Sequence, residues 1–370
     1  MRRGRFLGSV DSQTKTKYHW AVIHRLVANP PNPYRSRHAE WLEPPPVAKL
    51  EIYEEESGSI LTRNDSPDVP FTWSVNPYRG CQHACAYCYA RPYHEYLDLG
   101  AGTDFETKLF AKTNAAELLR KAFSKKSWNR EWVTFSGITD CYQPIEASFG
   151  ITRECLQVCV ACKTPASVIT KSFLVVRDID VLAELDRTAG AKVFVSIPFA
   201  DAETARLFEP QAPPPARRFE AVRKISEAGL SAGVMVAPII PGLNDRDIPK
   251  LLEQAAASGA SSVGYVPLRL AGSVRPVFLE RLREAMPDRA QRVINRLKDI
   301  RGGKLNDSNF GSRMKGSGVY WDSIRDLFEL SKKRYGLGDR EPMADDEALE
   351  LLVEKPKEAQ SKASNQMELF

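Results

Sequence analysis

Three closely spaced cysteines constrain this chain more than any other feature of its sequence. Cys81, Cys85 and Cys88 follow the spacing C-x3-C-x2-C. Residues that interrupt helices and strands lie on both sides of them, namely Pro77, Gly80 and Pro92. The segment is therefore predicted to be a loop that can turn three sulfurs toward one centre. Ligation by cysteine alone is typical of iron–sulfur clusters, and a [4Fe–4S] cubane with three protein ligands leaves one iron open.

An aromatic residue, Tyr87, stands just before the last cysteine. With this residue the spacing resembles that of the radical S-adenosylmethionine (SAM) enzymes. The resemblance implies that the open iron binds SAM, whose one-electron reduction releases a 5′-deoxyadenosyl radical. It also implies a reductant of the flavodoxin or ferredoxin type. A structural zinc loop with His83 or His94 as fourth ligand is the alternative, although zinc loops usually pair C-x2-C units.

Length and composition indicate a protein with a large buried core. The chain has 370 residues, of which 43% are hydrophobic, so one large α/β domain with extensions or two domains are expected. It contains no run of 18 apolar residues, and no apolar segment follows the basic residues at its N-terminus. We expect a cytoplasmic protein with no membrane partner. An odd number of cysteines, seven, indicates reduced thiols.

The chain is predicted to have four regions. Residues 1–70 form a proline-rich basic extension, and residues 71–270 alternate between predicted strands and helices in about six βα units. Residues 271–337 form a helical and basic, glycine-rich region, and residues 338–370 form a flexible tail. Apolar strands in βα units predict a parallel sheet, either a partial barrel or a doubly wound sheet.

The predicted strands cover residues 72–76, 132–138, 166–170, 192–197, 231–240 and 263–268. The predicted helices cover residues 114–123, 153–163, 179–188, 216–228, 248–258, 278–286, 289–300 and 322–335.

Polar residues follow three successive predicted strands. Asp140, Lys171 and Ser196 lie at strand ends, where parallel sheets place their ligand contacts. We expect Asp140 to bind ribose hydroxyls, while Lys171 and Ser196 bind the cofactor carboxylate. For Asp140 the alternative is a helix cap or a loop salt bridge.

Further motifs resemble the spore photoproduct lyase family of DNA-repair radical SAM proteins. Tyr87 and Tyr89 flank Cys88, and the likeness covers about residues 70–322. It continues through Thr139-Asp140, Thr170-Lys171, Ser196, Phe208-Glu209-Pro210, Arg218, Val236-Ala237-Pro238-Ile239 and the late basic segment with Arg313, Gly316, Gly318 and Tyr320. The resemblance implies a partial TIM barrel of six βα units and a [4Fe–4S] cluster held by Cys81, Cys85 and Cys88. It implies SAM contacts from Tyr87, Asp140, Lys171 and Ser196.

One departure from that family concerns hydrogen donation. The lyase carries a donor cysteine three residues before the aspartate, where this chain has Gly137. Cys141 could replace it from the loop, helped by Tyr87 or Tyr89. Cys141 as an ordinary loop thiol is the alternative.

A second C-x3-C-x2-C group is formed by Cys155, Cys159 and Cys162. These residues lie at i, i+4 and i+7 of an uninterrupted predicted helix and so share one face. A buried face is therefore the preferred interpretation, since free cysteine packs as a small apolar residue. A second cluster with Cys141 as fourth ligand is the alternative.

The remaining motifs point to DNA. The chain ends in Gln366-Met367-Glu368-Leu369-Phe370, which resembles the pentapeptide by which bacterial repair proteins bind the DNA sliding clamp. Basic residues could contact phosphates, namely Arg2, Arg3, Lys304, Arg313 and Lys315. A solvated basic face is the alternative. Tyr142 or Phe149 could stack on an extruded base.

These observations favour a radical SAM enzyme that acts on a DNA base lesion. One alternative keeps the radical chemistry but takes RNA, a peptide or a small metabolite as substrate. Another is a non-enzymatic iron–sulfur protein, which would need a fourth protein ligand.

Overall fold

A computed structural model of the protein describes residues 28–36 and 48–339. The strands, in chain order, are β1 (Glu51–Glu55), β2 (Leu61–Arg63), β3 (Trp73–Val75), β4 (Tyr78–Arg79), β5 (Lys108–Lys112), β6 (Val133–Phe135), β7 (Ala166–Thr170), β8 (Ala191–Ser196), β9 (Ser231–Ile239), β10 (Ser262–Pro267) and β11 (Gly338–Asp339).

The helices lie mostly between these strands. They are α1 (Thr103–Thr107), α2 (Ala115–Phe123), α3 (Glu146–Phe149), α4 (Ile151–Cys162), α5 (Ile179–Thr188), α6 (Ala202–Phe208), α7 (Pro215–Glu227), α8 (Ile248–Ala257), α9 (Val274–Ala285), α10 (Pro287–Asp299) and α11 (Val319–Arg334).

The main sheet has eight strands in the order β11-β10-β9-β8-β7-β6-β3-β2. Every neighbouring pair is parallel except β2 and β3, which are antiparallel. The six strands β3 and β6 to β10 are the expected βα units, and the sheet ends at β2 and β11. The prediction of a partial barrel of about six βα units is therefore confirmed. Because the strands are parallel, the loops that follow them gather at one edge of the sheet, which we call the mouth.

Helices cover the sheet because each has an apolar face. In α8, for example, Leu251, Leu252 and Ala255 are buried while Glu253 is exposed, as a 3.6-residue repeat requires. The largest core cluster lies between such faces and the central strands, where Val168, Val193 and Val234 are fully buried. The fold thereby holds the mouth loops on a rigid scaffold.

Most predicted elements are present with ends shifted by a few residues. β7 matches its prediction at both ends, whereas β6 is shorter than expected because the chain turns at Ser136, where φ is +72°. The helix expected over residues 278–286 begins earlier, at Val274.

The extension is more ordered than predicted where it is described. β1 pairs in parallel with β5, and β4 pairs with β5 on its other side, forming a second, three-stranded sheet. β2 adds an antiparallel edge to the main sheet. β5 was not predicted, because its apolar residues form only a short run between Lys108 and Lys112 in a segment rich in charged residues.

Regular structure continues at residue 338, where the flexible tail was expected to begin. Gly338 and Asp339 form β11, which pairs in parallel with β10. The other residues of that tail lie outside the described residues, as do residues 1–27 and 37–47. Among the helices of the described part, none is long and apolar enough to cross a membrane.

Candidate active site

The cysteine loop lies at the mouth, between β4 and a 3-10 helix, Arg91–Leu97. Its backbone is bound to neighbouring elements on both sides. The amide of Cys81 donates to the carbonyl of Phe105 over 2.9 Å, and the amide of Ala86 donates to the carbonyl of Phe208 over 2.8 Å. Gly80 has a φ of +72°, and a Cβ there would lie 2.8 Å from a Leu109 methyl, so this turn requires glycine.

Arg91 fixes the centre of the loop from inside the protein. Its fully buried guanidinium donates to the carbonyl oxygen of Cys85 from Nε and Nη2, over 3.0 and 2.8 Å. It also donates to the carbonyls of Ala101 and Gly102 and pairs with Glu106 over 2.5 Å. Sequence reasoning missed this residue, since its partners are mainly backbone oxygens that no motif reveals.

Two glutamines join the loop to the chain segment after β6. The side chain of each glutamine forms hydrogen bonds with the backbone of the other glutamine's segment. The Gln143 side chain accepts from the amide of Gln82 and donates to the carbonyl of Gly80, each over 3.0 Å. The Gln82 side chain accepts from the amide of Ile145 over 2.9 Å. These hydrogen bonds hold the cysteine loop against the segment that follows β6.

The three cysteines of the loop are free thiols suited to a cluster. Cys81 and Cys85 are buried and Cys88 is partly buried. Burial raises the pKa of all three thiols, that of Cys85 to about 12, whereas the nearby cation Lys171 lowers the pKa of Cys85 and Cys88. A buried set of thiols beside a cation fits a cluster, because thiolate ligands carry negative charge. Within residues 28–36 and 48–339, no three His, Cys, Asp or Glu side chains converge on a single-ion site.

The two histidines considered as zinc ligands differ in their partners. His94 bonds through Nε2 to the carbonyl of Lys108 over 2.9 Å, and its ring contacts Phe105 and Phe110 edge-on. His83 lies with Nδ1 3.2 Å from Asp140 Oδ2, and its Nε2 is buried without a hydrogen-bond partner in the described structure. These contacts argue against His94 as the fourth zinc ligand, whereas the unpartnered Nε2 leaves His83 as the remaining candidate.

A buried ionic network lies beside the cysteine loop. Glu209 accepts a hydrogen bond from the Tyr87 hydroxyl and forms an ion pair with Arg218. Lys171 Nζ is 4.0 Å from Glu209 Oε1 and lies 5.7 Å from the centre of the Tyr87 ring. Burial alone would raise the pKa of Glu209, but Arg218 and Lys171 lower it, so the carboxyl group is ionised.

The network reaches the end of β8. Arg218 donates from Nη1 to the carbonyl of Ser196 over 3.0 Å and from Nε to the carbonyl of Pro213 over 2.7 Å. Ser196 itself is only 7% exposed. Tyr87, Lys171 and Ser196, three predicted SAM contacts, are thus linked through one buried pair of charges.

Asp140 lies in the segment after β6, beside the end of β7. Its Oδ1 accepts from the Thr170 hydroxyl and its Oδ2 from the amide of Lys171, each over 2.7 Å. Burial alone would raise its pKa, but His83 and these hydrogen bonds lower it to about 2. Asp140 therefore ties together the ends of β6 and β7. Its predicted contact with ribose hydroxyls stays a prediction.

The three residues predicted to take part in hydrogen transfer have different environments. Tyr87 is 6% exposed, and Cys141 is fully buried in the main core, where its carbonyl accepts from the Thr152 hydroxyl. Tyr89 is 51% exposed, and its hydroxyl donates to the carbonyl of Gly137 over 2.7 Å. This placement favours the interpretation of Cys141 as a packed thiol and leaves Tyr89 as the member that faces solvent.

Gly137, where the related family carries its donor cysteine, has little space beside it. A Cβ there would lie 2.9 Å from Cβ of Ser74. A cysteine would therefore require Ser74 to move.

The second cysteine group forms a helix face, as expected. Cys155 and Cys159 are fully buried in the main core, and Cys162 is partly buried at the end of α4.

Tyr142 is also fully buried, with its hydroxyl donating to Asp178 over 3.0 Å, so the expectation that it stacks on a base is wrong.

The predicted DNA contacts divide into three groups. Arg313 is 3% exposed and pairs through Nε with Asp68 over 2.6 Å. This pair joins the N-terminal part of the chain to the C-terminal region, so Arg313 is not free to contact phosphate. Lys304 and Lys315 are exposed. Arg2, Arg3 and the terminal motif, Gln366, Met367, Leu369 and Phe370, lie outside the described residues.

Residues 75–255 match the model of the radical SAM superfamily. The chain is also 41% identical, over 226 residues, to an uncharacterized protein of Mycobacterium tuberculosis strain H37Rv. That match covers 60% of this chain and 66% of the relative, a little under two thirds of its length. An uncharacterized protein of Methanocaldococcus jannaschii is 28% identical over 198 residues, which are 54% of this chain and 71% of that protein.

The fold of this chain is similar to that of spore photoproduct lyase in solved structures. The lyase complexed with dinucleoside spore photoproduct superposes with a TM-score of 0.53 at 16% identity, covering 77% of this chain and 78% of that chain. A mutant of that enzyme with bound AdoMet and dinucleoside spore photoproduct gives the same TM-score at 17% identity and the same coverage. With the match of residues 75–255, these findings show that this part of the chain is a radical SAM domain and that the chain shares the fold of spore photoproduct lyase.

Proposed function

We propose that this protein is a radical SAM enzyme that repairs or processes a damaged base in DNA. When bound, the [4Fe–4S] cluster and SAM supply a 5′-deoxyadenosyl radical after one-electron reduction, which a flavodoxin or ferredoxin can provide. All other steps depend on how this chain binds SAM and substrate and excludes water.

The cluster would be held by Cys81, Cys85 and Cys88, whose loop is shaped in advance by Arg91. A loop held by the surrounding protein loses little conformational freedom when it binds its ligand, so the three sulfurs are positioned with little cost.

SAM would be bound at the ends of β6, β7 and β8. Lys171 supplies a positive charge for the carboxylate of SAM, and Ser196 supplies a hydroxyl at the same edge. Glu209 and Arg218 act as positioning residues, because together they hold Tyr87 and the backbone of Ser196. Asp140 would accept hydrogen bonds from the ribose, although its oxygens already hold Thr170 and Lys171.

The substrate would approach from the side of Tyr89. Of the three residues proposed for hydrogen transfer, this is the exposed one, and it directly follows the last cluster cysteine. The observation that carries the DNA assignment is the fold shared with spore photoproduct lyase, whose structure contains a dinucleoside photoproduct. Fold alone does not define a substrate, so the exposed tyrosine at the mouth is the supporting feature of this chain itself.

The C-terminal motif is proposed to bind the DNA sliding clamp. Leu369 and Phe370 would fill an apolar pocket of the clamp, with Gln366 bonding at its rim. Loss of Gln366–Phe370 should then reduce repair in cells while leaving the purified enzyme unchanged.

The test uses anaerobically reconstituted protein. Iron per chain is measured first, and 5′-deoxyadenosine release is then measured after dithionite and SAM, with and without UV-irradiated duplex DNA. We expect one [4Fe–4S] cluster per chain and release that requires Cys81, Cys85 and Cys88 and increases with irradiated DNA.

Other outcomes separate the alternatives. Release that is indifferent to DNA would keep the radical chemistry and reject the DNA substrate in favour of RNA, a peptide or a metabolite. The absence of release under every condition would favour a non-enzymatic iron–sulfur protein. Iron equivalent to two clusters would indicate that Cys155, Cys159 and Cys162 bind a second cluster.

A further inference from the structure

The 3-10 helix that follows the cysteine loop has two contrasting faces. A 3-10 helix has three residues per turn, so side chains at i and i+3 lie on the same face. Arg91 and His94 share one face and are buried, whereas Tyr93 and Tyr96 share another and are 39% and 54% exposed. Their ring centres are 6.3 Å apart.

A third tyrosine extends this exposed face. Tyr34, from the segment 28–36, is 57% exposed, and its ring centre lies 5.0 Å from that of Tyr96. Its hydroxyl donates to the Tyr96 hydroxyl over 3.1 Å. We call Tyr93, Tyr96 and Tyr34 the tyrosine row.

The segment that carries Tyr34 is fixed to the 3-10 helix. Asn32 donates from its side chain to the carbonyl of Glu95 over 3.1 Å, and Arg35 pairs with Asp98 over 2.9 Å. The tyrosine row is thus a defined surface. Exposed aromatic side chains that adjoin one another mark interaction sites more often than single exposed ones do.

The tyrosine row begins next to the active-site mouth. Tyr93 follows Tyr89 closely in the chain, at the start of the 3-10 helix, and Arg269 follows β10 at the mouth. The loop that carries Arg269 packs on the 3-10 helix, since Ser273 donates a hydrogen bond to Glu95. A ligand on the row would therefore be continuous with one at Tyr89.

Arg269 is a cation with spare hydrogen-bonding capacity. Its Nε is buried and has no partner in the described part of the chain, and its Nη1 contacts only the sulfur of Met314, at 3.4 Å. The nearby carboxylate Asp68 has another partner, because it pairs with Arg313. An anion could thus bind at Arg269 without competing with a protein carboxylate.

Flat aromatic faces beside a free cation are the chemistry that binds single-stranded nucleic acid, in which bases stack and a phosphate pairs. A site for duplex backbone alone would use clustered lysines and arginines in place of tyrosines. We propose that the tyrosine row stacks on unpaired bases of the DNA strand that flanks the damaged base, while Arg269 contacts a phosphate of that strand. This inference rests on the proposed DNA substrate.

Binding of oligothymidylate tests the proposal. Fluorescence anisotropy is measured with the reconstituted holoenzyme, without reductant, using a labelled single strand and a duplex of the same length. Tyr93→Ala with Tyr96→Ala should weaken single-strand binding roughly 5- to 150-fold for each lost stack. The matched variant, Tyr93→Phe with Tyr96→Phe, keeps both ring faces and should bind as the unmodified protein does.

Two further variants separate stacking from charge and from general damage. Arg269→Gln should reduce the slope of log affinity against log salt by about 0.7, the value for one phosphate on a single strand. Leu330→Ala, a 68% exposed residue of α11, should change nothing.

The proposal is overturned if the double alanine variant binds the single strand as tightly as the unmodified protein does. If irradiated DNA still stimulates 5′-deoxyadenosine release in that case, the proposed function stands and only the tyrosine row is rejected. If the unmodified protein binds neither DNA form and release ignores DNA, both are rejected.

Discussion

Arg91 donates two hydrogen bonds to the carbonyl oxygen of Cys85, so a buried guanidinium holds the middle cysteine of the loop by its backbone. The same side chain pairs with Glu106, whose carboxyl group is also fully buried. The shape of the ligand loop therefore depends on a fully buried ion pair.

Replacing Arg91 by alanine should destabilise the protein and reduce iron loading. The substitution removes the cation that pairs with the buried Glu106 carboxylate, and breaking such a pair costs about 3–5 kcal/mol. Urea unfolding and iron per chain after reconstitution measure the two effects. Arg223→Ala, which removes an exposed pair with Glu227, is the control and should change stability by less than about 1 kcal/mol. Normal iron content in the Arg91 variant would contradict this role.

Protonation of His94 should destabilise the fold in mild acid. Burial lowers its pKa to about 4, only partly offset by the carbonyl of Lys108 and the nearby Asp104. In the unfolded chain its pKa is about 6.5, so between pH 6.5 and 4 the unfolded chain binds more protons. Stability is then complete above pH 6.5 and falls as the pH drops toward 4, by up to about 3 kcal/mol.

Unfolding free energies of the unmodified protein and His94→Gln, measured across this pH range, test the assignment. The glutamine variant does not titrate, so the difference in stability between the two proteins should shrink as the pH falls. A difference that is constant from pH 7 to 4 would show that His94 does not contribute to acid sensitivity.

The two tyrosines beside Cys88 should respond differently to loss of their hydroxyl groups. Tyr87 donates to the buried carboxylate of Glu209, and a hydrogen bond to a charged group contributes about 1.5–3 kcal/mol. Tyr87→Phe should therefore lower the free energy of unfolding by that amount. Tyr89→Phe loses one exposed hydrogen bond to Gly137 and should cost less than about 1 kcal/mol. Equal losses in thermal or urea unfolding would contradict the difference in burial.

Substitutions in the second cysteine group should weaken core packing and leave the iron content unchanged. Cys159→Ala removes one buried sulfur from the main core and should cost about 1–2 kcal/mol, with iron per chain unchanged. Cys85→Ala, the matched change in the ligand loop, should abolish the cluster. A fall in iron for Cys159→Ala would instead support a second cluster.

The sequence predicted the central sheet well because its signals are local. The apolar run of β7 and the amphipathic pattern of α8 follow from neighbouring residues, and polar residues at strand ends led to Lys171 and Ser196. Contacts between distant residues carry no such signal. The pairing of β1 with β5 and the bond between Tyr87 and Glu209, which are 122 positions apart, follow only from the folded chain.

Arg313 is another case in which contacts between distant residues were not predicted. Its charge suggested phosphate binding, whereas in the structure it forms a buried ion pair. It pairs with Asp68, 245 positions away, and both side chains are almost fully buried. Its guanidinium also lies 4.1 Å from the centre of the Phe310 ring. The pair thus attaches the segment before β3 to the region after α10.

Arg313→Ala should therefore release that attachment. It leaves Asp68 buried and unpaired, which costs about 3–5 kcal/mol, and limited proteolysis should become faster between β2 and β3. Lys304→Ala and Lys315→Ala, at exposed positions of the same region, should leave stability and proteolysis unchanged. Because Asp68→Asn removes the unpaired charge, the double variant should be more stable than Arg313→Ala alone. If Arg313→Ala weakened DNA binding without changing stability or proteolysis, a direct phosphate contact would replace this structural role.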